Sequence, residues 1–297
     1  MLAKLLTTDQ TDSLANAGFK NIEVVEKLCA GTSNQNFRVR ARGEEWVLRI
    51  NNPLTEALCP RANEVACWRQ AADAGLAPPL AFVSEDYQLY VSHFVAQAHP
   101  WDTSFHVQGT AVTLLDRLLK ALAQLPLPKH QVTTADQWAH YQVVIRNRYA
   151  KLDASLRDVA DDILAEDSWM QASIARLART QTQRYCHRDL NPTNLLLRDG
   201  KLLCIDFEYA CASDPRFDLA ALLACHKLTS TQTRQLQRLH LTGSPQQQAL
   251  DFADATYCYW VFTAAWGVVM CSDGKAAVSW LREALGHLHH HKARLPL

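Results

Sequence analysis

The chain has 297 residues, 48% of them hydrophobic, and its 30 Lys and Arg are balanced by 30 Asp and Glu. That neutrality argues against a nucleic-acid binder, no apolar run reaches the roughly 18 residues of a membrane span, and "MLAKLLTTDQTDSL" lacks the apolar core and cleavage site of a signal peptide. The nine cysteines are odd in number and scattered without a C-x-x-C pair, which points to reduced thiols in a cytoplasmic protein rather than a disulfide framework.

The first 95 residues read as mixed α/β. Phe37, Val39 and Ala41 alternate with Arg38 and Arg40, Arg42-Gly43 supplies a turn, and Trp46, Leu48 and Ile50 alternate again, which is a hairpin of period two. Pro60 opens a helical stretch, "RANEVACWRQAADAG", in which Gly75 serves as the C′ residue and Pro78-Pro79 forbids continuation. "YQLYVSHFV", 87–95, reads as a further strand. The texture then changes: Leu114, Leu115, Leu118, Leu119 and Leu122 recur at helical spacing, and helix-like segments run on to about residue 180.

A polar hairpin follows, "YCHRDLNPTNLLLRDGKLLCIDFEYA", from Tyr185 to Ala210. Two short apolar runs flank Asp199-Gly200, a dipeptide whose tolerance of positive φ favours a two-residue hairpin turn. Folding it brings His187, Asp189 and Asn194 from one end to Asp206 and Glu208 at the other, a rim of oxygen ligands suited to a hard cation such as Mg²⁺. Beyond it, "FDLAALLACHKL", "QQALDFADATYCYWVFTAAWGVV" and "AAVSWLREALGHL" are helical, and the His-rich tail "HLHHHKARL" is expected to be a solvated helix end. The fold class is α+β: a small β-rich lobe, residues 1–95, precedes a larger, mainly helical lobe, residues 96–297, with the polar hairpin expected at the seam.

His187-Arg188-Asp189-Leu190-Asn191-Pro192-Thr193-Asn194 fits the kinase catalytic-loop pattern H-R-D-L-x-x-x-N at every specified position, and Asp206 lies at the end of an apolar strand twelve residues after Asn194. With "IDFEYACASDPRFDLAAL" after it, the chain resembles the choline kinase, thiamine kinase and aminoglycoside phosphotransferase group, and within it the bacterial choline kinases. The resemblance covers roughly residues 28 to 270 and implies a two-lobed protein-kinase-like fold, with nucleotide held by the first lobe and acceptor by the second.

It also implies roles. Asp189 would meet the attacking hydroxyl and take its proton late, and Asn194 and Asp206 would hold Mg²⁺ on the phosphates of ATP. Gly31, Thr32, Ser33 and Asn34 would cover those phosphates through a backbone nest. Arg49 in "WVLRI" stands where protein kinases carry a phosphate-contacting Lys, and its expected partner is Glu64, the only carboxylate in "RANEVACWRQ". Glu208 replaces the glycine of D-F-G and, if the strand continued, would lie near the reacting centre, organising metal-bound water or attracting a cation; Tyr209, next to it, would offer the acceptor an aromatic face. Trp266 aligns with the second of two tryptophans that line the quaternary-ammonium pocket of choline kinases, while the first falls at Thr263, with Trp260 one turn earlier. His187 and Asp218 are expected to be structural, Asp218 buttressing the catalytic loop.

The function expected is an ATP- and Mg²⁺-dependent kinase of a small cationic alcohol, choline-like first and thiamine-like second. A protein kinase is disfavoured because only "FEYACASDPRF" separates Asp206 from Asp218, which leaves no room for an activation loop. A non-catalytic nucleotide-binding module would leave the filled catalytic positions unexplained. An aminoglycoside acceptor, a polycation, would need several carboxylates at the entrance. Asp251, Asp254, Asp273 and Glu283 are the late candidates, and helix periodicity buries none of them obviously. No nucleic-acid partner and no membrane insertion are expected.

Overall fold

The computed structural model describes residues 6–28, 34–104, 110–270 and 275–295. It divides into two compact units, residues 1–126 with 189–210, and residues 127–188 with 211–297. The expected lobes, 1–95 and 96–297, cut the chain differently. The polar hairpin groups with the amino-terminal unit because its backbone is tied there: Cys204 N–H donates to the Leu76 carbonyl at 2.7 Å.

The first unit is built on an antiparallel sheet in the order β1-β2-β3-β5-β4, formed by β1 (Glu23–Leu28), β2 (Gln35–Ala41), β3 (Glu44–Ile50), β4 (Leu80–Val83) and β5 (Leu89–His93). The expected hairpin is β2–β3, with Arg42 and Gly43 at φ 56° and 77°, the conformation its two-residue turn requires. Period two sorts β3: Trp46 and Leu48 bury into a core with Phe37, Val39, Leu89, Val91 and, from the helix α1 (Thr8–Asn16) and the turn after it, Leu14 and Phe19. Arg49 points to the opposite face, paired in register with Tyr90 of β5. On that face lies α2 (Arg61–Asp73), which ends as expected: Ala74 caps it and Gly75 follows at φ +70°. Trp68 of α2 donates its indole N–H to the Pro78 carbonyl at 2.8 Å and stacks on Phe207 at 5.8 Å, so α2 is fixed to both the sheet and the end of the catalytic hairpin.

The same unit contains a second, three-stranded sheet of order β6-β8-β9, from β6 (His99–Pro100), β8 (Leu195–Arg198) and β9 (Lys201–Cys204). Asp199 and Gly200 form the β8–β9 turn at φ 49° and 70°, as their dipeptide dictates. Helices α3 (Trp101–Ser104) and α4 (Ala111–Ala123) complete the unit, and α4 buries the leucine stripe Leu114, Leu115, Leu118, Leu119 and Leu122.

The second unit is helical apart from a short pair, β7 (Arg184–Cys186) with β10 (Cys211–Ser213). Its centre is α10 (Pro245–Met270), which α5 (Thr134–Arg148), α6 (Ala154–Leu164), α7 (Asp167–Leu177), α8 (Arg216–Cys225) and α11 (Lys275–Lys292) pack around. The remaining helix is α9 (Ser230–His240). A helix touched on most sides is apolar on most sides: after a mostly exposed start, α10 is buried from Asp251 on except at Phe252, Ala253, Tyr259, Trp260, Thr263, Trp266 and Met270, which are half-buried. α10 and α11 meet at Gly267, where an added Cβ would come within 2.4 Å of Leu281 and 2.5 Å of Trp280. Gly267→Ala is therefore expected to destabilise the protein by about 1–3 kcal/mol through overpacking, measured by urea unfolding. Unchanged stability would mean that α11 shifts freely against α10.

Asp251 and Asp254 correct the sequence expectation. Both are buried, at 7% and 0% exposure. Arg216 Nη1 lies 3.1 Å from Asp251, and Arg176 pairs with Asp254 through both oxygens, at 2.7 and 2.9 Å. Helix periodicity missed this because the arginines come from α8 and α7, not from neighbouring turns of α10. Glu283 is exposed, and Asp273 lies outside the described residues. The His-rich helix end is mostly solvated, as expected: His289 and His290 are exposed and His291 is half-buried. No helix among the described residues is long and apolar enough to cross a membrane.

Candidate active site

The first unit assembles most of the residues expected to carry chemistry. β3 delivers Arg49 to the face that α2 covers, and a guanidinium buried there needs acceptors for its donors. Its Nε donates to Asn51 Oδ1 at 2.7 Å, Nη1 to Asp206 Oδ1 at 3.1 Å and Nη2 to Glu208 Oε1 at 2.8 Å. Nη2 also lies 2.9 Å from Glu64 Oε1, so the expected Arg49–Glu64 pair is present. Glu64, fully buried on α2, accepts a further bond from Tyr90 Oη at 3.2 Å.

Sequence reasoning missed Arg61. This first residue of α2 is 7% exposed. Its Nη1 donates to Glu64 Oε2 at 2.7 Å and to Glu208 Oε1 at 2.8 Å, and its Nη2 reaches Thr55 Oγ1. The signal was there, an Arg three residues before the helix acid, but its second carboxylate comes from 147 residues away.

Glu208 also departs from expectation. Asp206 adopts φ +65°, a left-handed conformation that ends the strand, so the premise of a continuing strand fails. The chain turns, and Glu208 faces inward at 2% exposure, where Oε1 accepts from Arg49, Arg61 and Asn34. Two guanidinium groups thus match this carboxylate, and it helps hold Arg49 in place. Its ionised form is favoured: burial alone would raise its pKa, and Arg49 and Arg61 outweigh burial and hold it below the usual carboxylate range.

Asn34, expected over the phosphates, uses its side chain to close the end of that loop. It donates to Glu208 at 2.8 Å and accepts from Asn52 N–H at 3.0 Å. Gly31, Thr32 and Ser33 lie outside the described residues; the chain they occupy joins β1 to β2.

Asp189 and Asn194 meet at the base of the hairpin. Asn194 Nδ2 donates to Asp189 Oδ2 at 2.7 Å, and Asn191 Nδ2 donates to Oδ1 at 2.9 Å. Burial raises the Asp189 pKa, and the two amide bonds oppose that shift. Asn194 is brought beside the Asp206 segment by the ladder itself: Ile205 N–H donates to its carbonyl at 3.0 Å, next to the Leu195–Cys204 pair.

The donor set fits a divalent cation. Asp206, a quarter exposed, has its pKa pushed up to about 8 by burial and then by the nearby Glu208, against the pull of Arg49. Three carboxylates, Glu64, Asp206 and Glu208, share two guanidinium groups there, and a cation would relieve that excess of negative charge. Oxygen ligands from Asp206 and Asn194, whose amide nitrogen is committed to Asp189, match the preference of Mg²⁺ for one or two carboxylates completed by phosphates and water. Glu64, Asp206 and Glu208 also converge, with one ligand atom from each within 4.8 Å of the others, but guanidinium groups already occupy the space between the glutamates.

In the second unit, Asp218 clamps the residues that lead into Asp189. Its Oδ2 accepts the His187 N–H at 2.9 Å and its Oδ1 the Arg188 N–H at 2.7 Å. Two parallel bonds to consecutive amides hold Arg188 at φ +71°, which a non-glycine residue does not adopt without such support. The Arg188 side chain donates to Ser213 Oγ at 2.7 Å, reaches Gln137 and lies 4.4 Å over the Phe217 ring. His187 is wholly buried. Tyr209, in the first unit, is half-buried. On α10, Trp266 is half-buried, edge-on to Trp280 at 6.0 Å, whereas Trp260 stacks on His287 at 4.2 Å.

Comparison with known proteins gives the family and the fold. The chain is 26% identical over 232 residues to the protein LicA of Haemophilus influenzae, an alignment covering 77% of this chain and 61% of that protein, so it spans less than two thirds of the relative's length. Its fold is similar to the crystal structure of choline kinase LicA from Streptococcus pneumoniae, with a TM-score of 0.70 at 19% identity, covering 94% of this chain and 97% of that one. It is also similar to the aminoglycoside phosphotransferase APH(4)-Ia, with a TM-score of 0.63 at 14% identity over 97% and 99% of the two chains. The expected kinase-like fold, a small antiparallel sheet with a mainly helical remainder, is thus the observed one. The model of the phosphotransferase enzyme family matches residues 24–267, from β1 to Gly267 of α10, and the chain is a member of that family.

Proposed function

We propose that the chain transfers the terminal phosphoryl group of ATP, with Mg²⁺, to the hydroxyl of a small cationic alcohol, choline-like first and thiamine-like second. The observation that carries the reading is the joint placement of Asp189, Asn194, Asp206 and Arg49 in the first unit. Phosphoryl transfer asks for alignment and charge neutralisation more than covalent chemistry. Asp189 accepts the hydrogen bond of the acceptor hydroxyl and takes its proton. Arg49, fixed by two glutamates, presents a guanidinium to the phosphates. Asp206 and Asn194 would hold Mg²⁺, which would supply positive charge to neutralise phosphate oxygens. Residues 31–33 and the backbone of Asn34 cover the phosphates, and Glu64 acts through Arg49.

The cationic acceptor rests on the relatives: the Haemophilus protein shares its name with the Streptococcus enzyme called a choline kinase. Fold similarity alone does not separate choline from aminoglycoside, since both kinds of structure superpose well. The burial of Asp251 and Asp254 against arginines supports the small acceptor, because it removes two of the four late carboxylates that could have served a polycation. The aromatic face assigned to Trp266 rests on the resemblance alone, as does a place for Tyr209 at the acceptor.

ADP release across a panel of alcohols tests the reading. Choline should exceed its uncharged isostere 3,3-dimethylbutanol in kcat/KM by about 3- to 30-fold, the equivalent of about 0.5–2 kcal/mol of cation–π attraction. Thiamine should exceed its neutral thiazole alcohol likewise. Equal efficiency for charged and neutral partners would remove the cationic acceptor and bring sugars or other neutral alcohols forward.

A further inference from the structure

Asn191 occupies a position that the H-R-D-L-x-x-x-N pattern leaves open. Its side chain caps a 3-10 helix, Pro192–Asn194, through Oδ1, which accepts the Thr193 N–H at 2.9 Å and is also reached by the Thr193 hydroxyl. Those two donors settle which end of the amide is which, because a flipped group would set N–H against N–H. The remaining end, Nδ2, therefore points at the catalytic carboxylate and donates to Asp189 Oδ1 at 2.9 Å. Asn194 holds Oδ2 at 2.7 Å. Asp189 is gripped at both oxygens by two amides, and that of Asn191 is locked by Thr193.

The grip matters because the second torsion of an aspartate is soft, so a half-buried carboxylate turns easily about its own axis. In-line transfer tolerates little misplacement of the group that meets the nucleophile. We propose that Asn191 is a positioning residue of the transfer: its amide translates the turn at Thr193 into a fixed orientation of the Asp189 carboxylate. This rests on the reading of Asp189 as the acceptor-facing base. Helix capping accounts for the Oδ1 end of the side chain and not for the Nδ2 end.

Asn191→Asp separates the two ends. Aspartate makes the same turn with one oxygen, so the cap survives. Its other oxygen replaces the donor and faces Asp189. The expected result is a melting temperature near that of the wild type, a kcat lower by about 10- to 100-fold, and a KM for ATP within a few fold. Asn191→Ser, which keeps a capping hydroxyl without the Nδ2 donor or an added charge, should lose kcat in the same sense and serves if the aspartate variant fails to fold. In an Asp189→Asn background, neither substitution should lower the residual rate further, since the group being positioned is gone. Wild-type kcat in Asn191→Asp would reduce Asn191 to a helix cap and overturn the proposal. Full turnover in Asp189→Asn would instead overturn the reading of Asp189 itself.

Discussion

Asp189→Asn is expected to abolish turnover while leaving MgATP affinity within a few fold. The substitution preserves shape and removes the group that accepts the hydroxyl proton. It also places an amide where the carboxylate now receives N–H bonds from Asn191 and Asn194, so one oxygen's partner is lost as well. General-base assistance contributes about 10²- to 10⁴-fold, which sets the loss in kcat. In the proposed reading the nucleotide depends on other groups, Arg49 and Asp206 among them, so its affinity should survive. Single-turnover ADP formation together with calorimetric titration of MgATP measures both quantities. A variant with a tenth or more of wild-type kcat would remove Asp189 from its role. Asp206→Ala differs in kind, because losing a cation ligand weakens Mg²⁺-dependent nucleotide binding too.

What the chain made legible and what it hid divide along a physical line. The Asp199-Gly200 and Arg42-Gly43 turns were readable because two consecutive positive φ values restrict residue choice. The α4 stripe and the C′ glycine of α2 were readable because period and cap are local. By contrast, β1 is an edge strand with no clean alternation, exposed at Glu23, Val25, Glu26 and Lys27, so its pattern carried little signal. α10 is apolar nearly all round, which erases the period by which a buried aspartate would be recognised.

The site divides in the same way. Asp189, Asn194 and Asp206 stand at fixed spacing in a contiguous stretch, and the pattern exposes them. The Arg49–Glu64 pair followed from fold resemblance and from there being one acid to choose. The fate of Glu208 depended on a single backbone torsion at Asp206, and aspartate tolerates the left-handed region too readily for the sequence to announce it. Arg61 was hidden because its meaning comes from Glu208 and Thr55, neither on its own helix. Long-range pairing of buried charges leaves no periodic trace.

Arg61→Met is therefore the substitution from which the largest combined effect on stability and activity is expected. In the wild type, two guanidinium groups face Glu64, Glu208 and Asp206. Removing one leaves three carboxylates around Arg49, with Glu64 fully buried and its Oε2 deprived of its strongest donor. Breaking a buried pair by deleting one partner costs about 3–5 kcal/mol, because the surviving charge cannot be rehydrated. The activity should fall with it: Arg49 is drawn between unneutralised glutamates, so KM for ATP rises and kcat drops, while KM for the acceptor moves little. Arg61→Lys should recover part of the stability and less of the activity, since one ammonium does not reproduce a fork that reaches Glu64, Glu208 and Thr55 together. The decisive measurement is a double-mutant cycle with Glu208→Gln, followed by urea unfolding. Neutralising both members should cost less than the sum of the single changes, by more than about 1 kcal/mol. Strict additivity, or an Arg61→Met protein as stable and active as the wild type, would show that Arg49 keeps its place without help from α2's first residue.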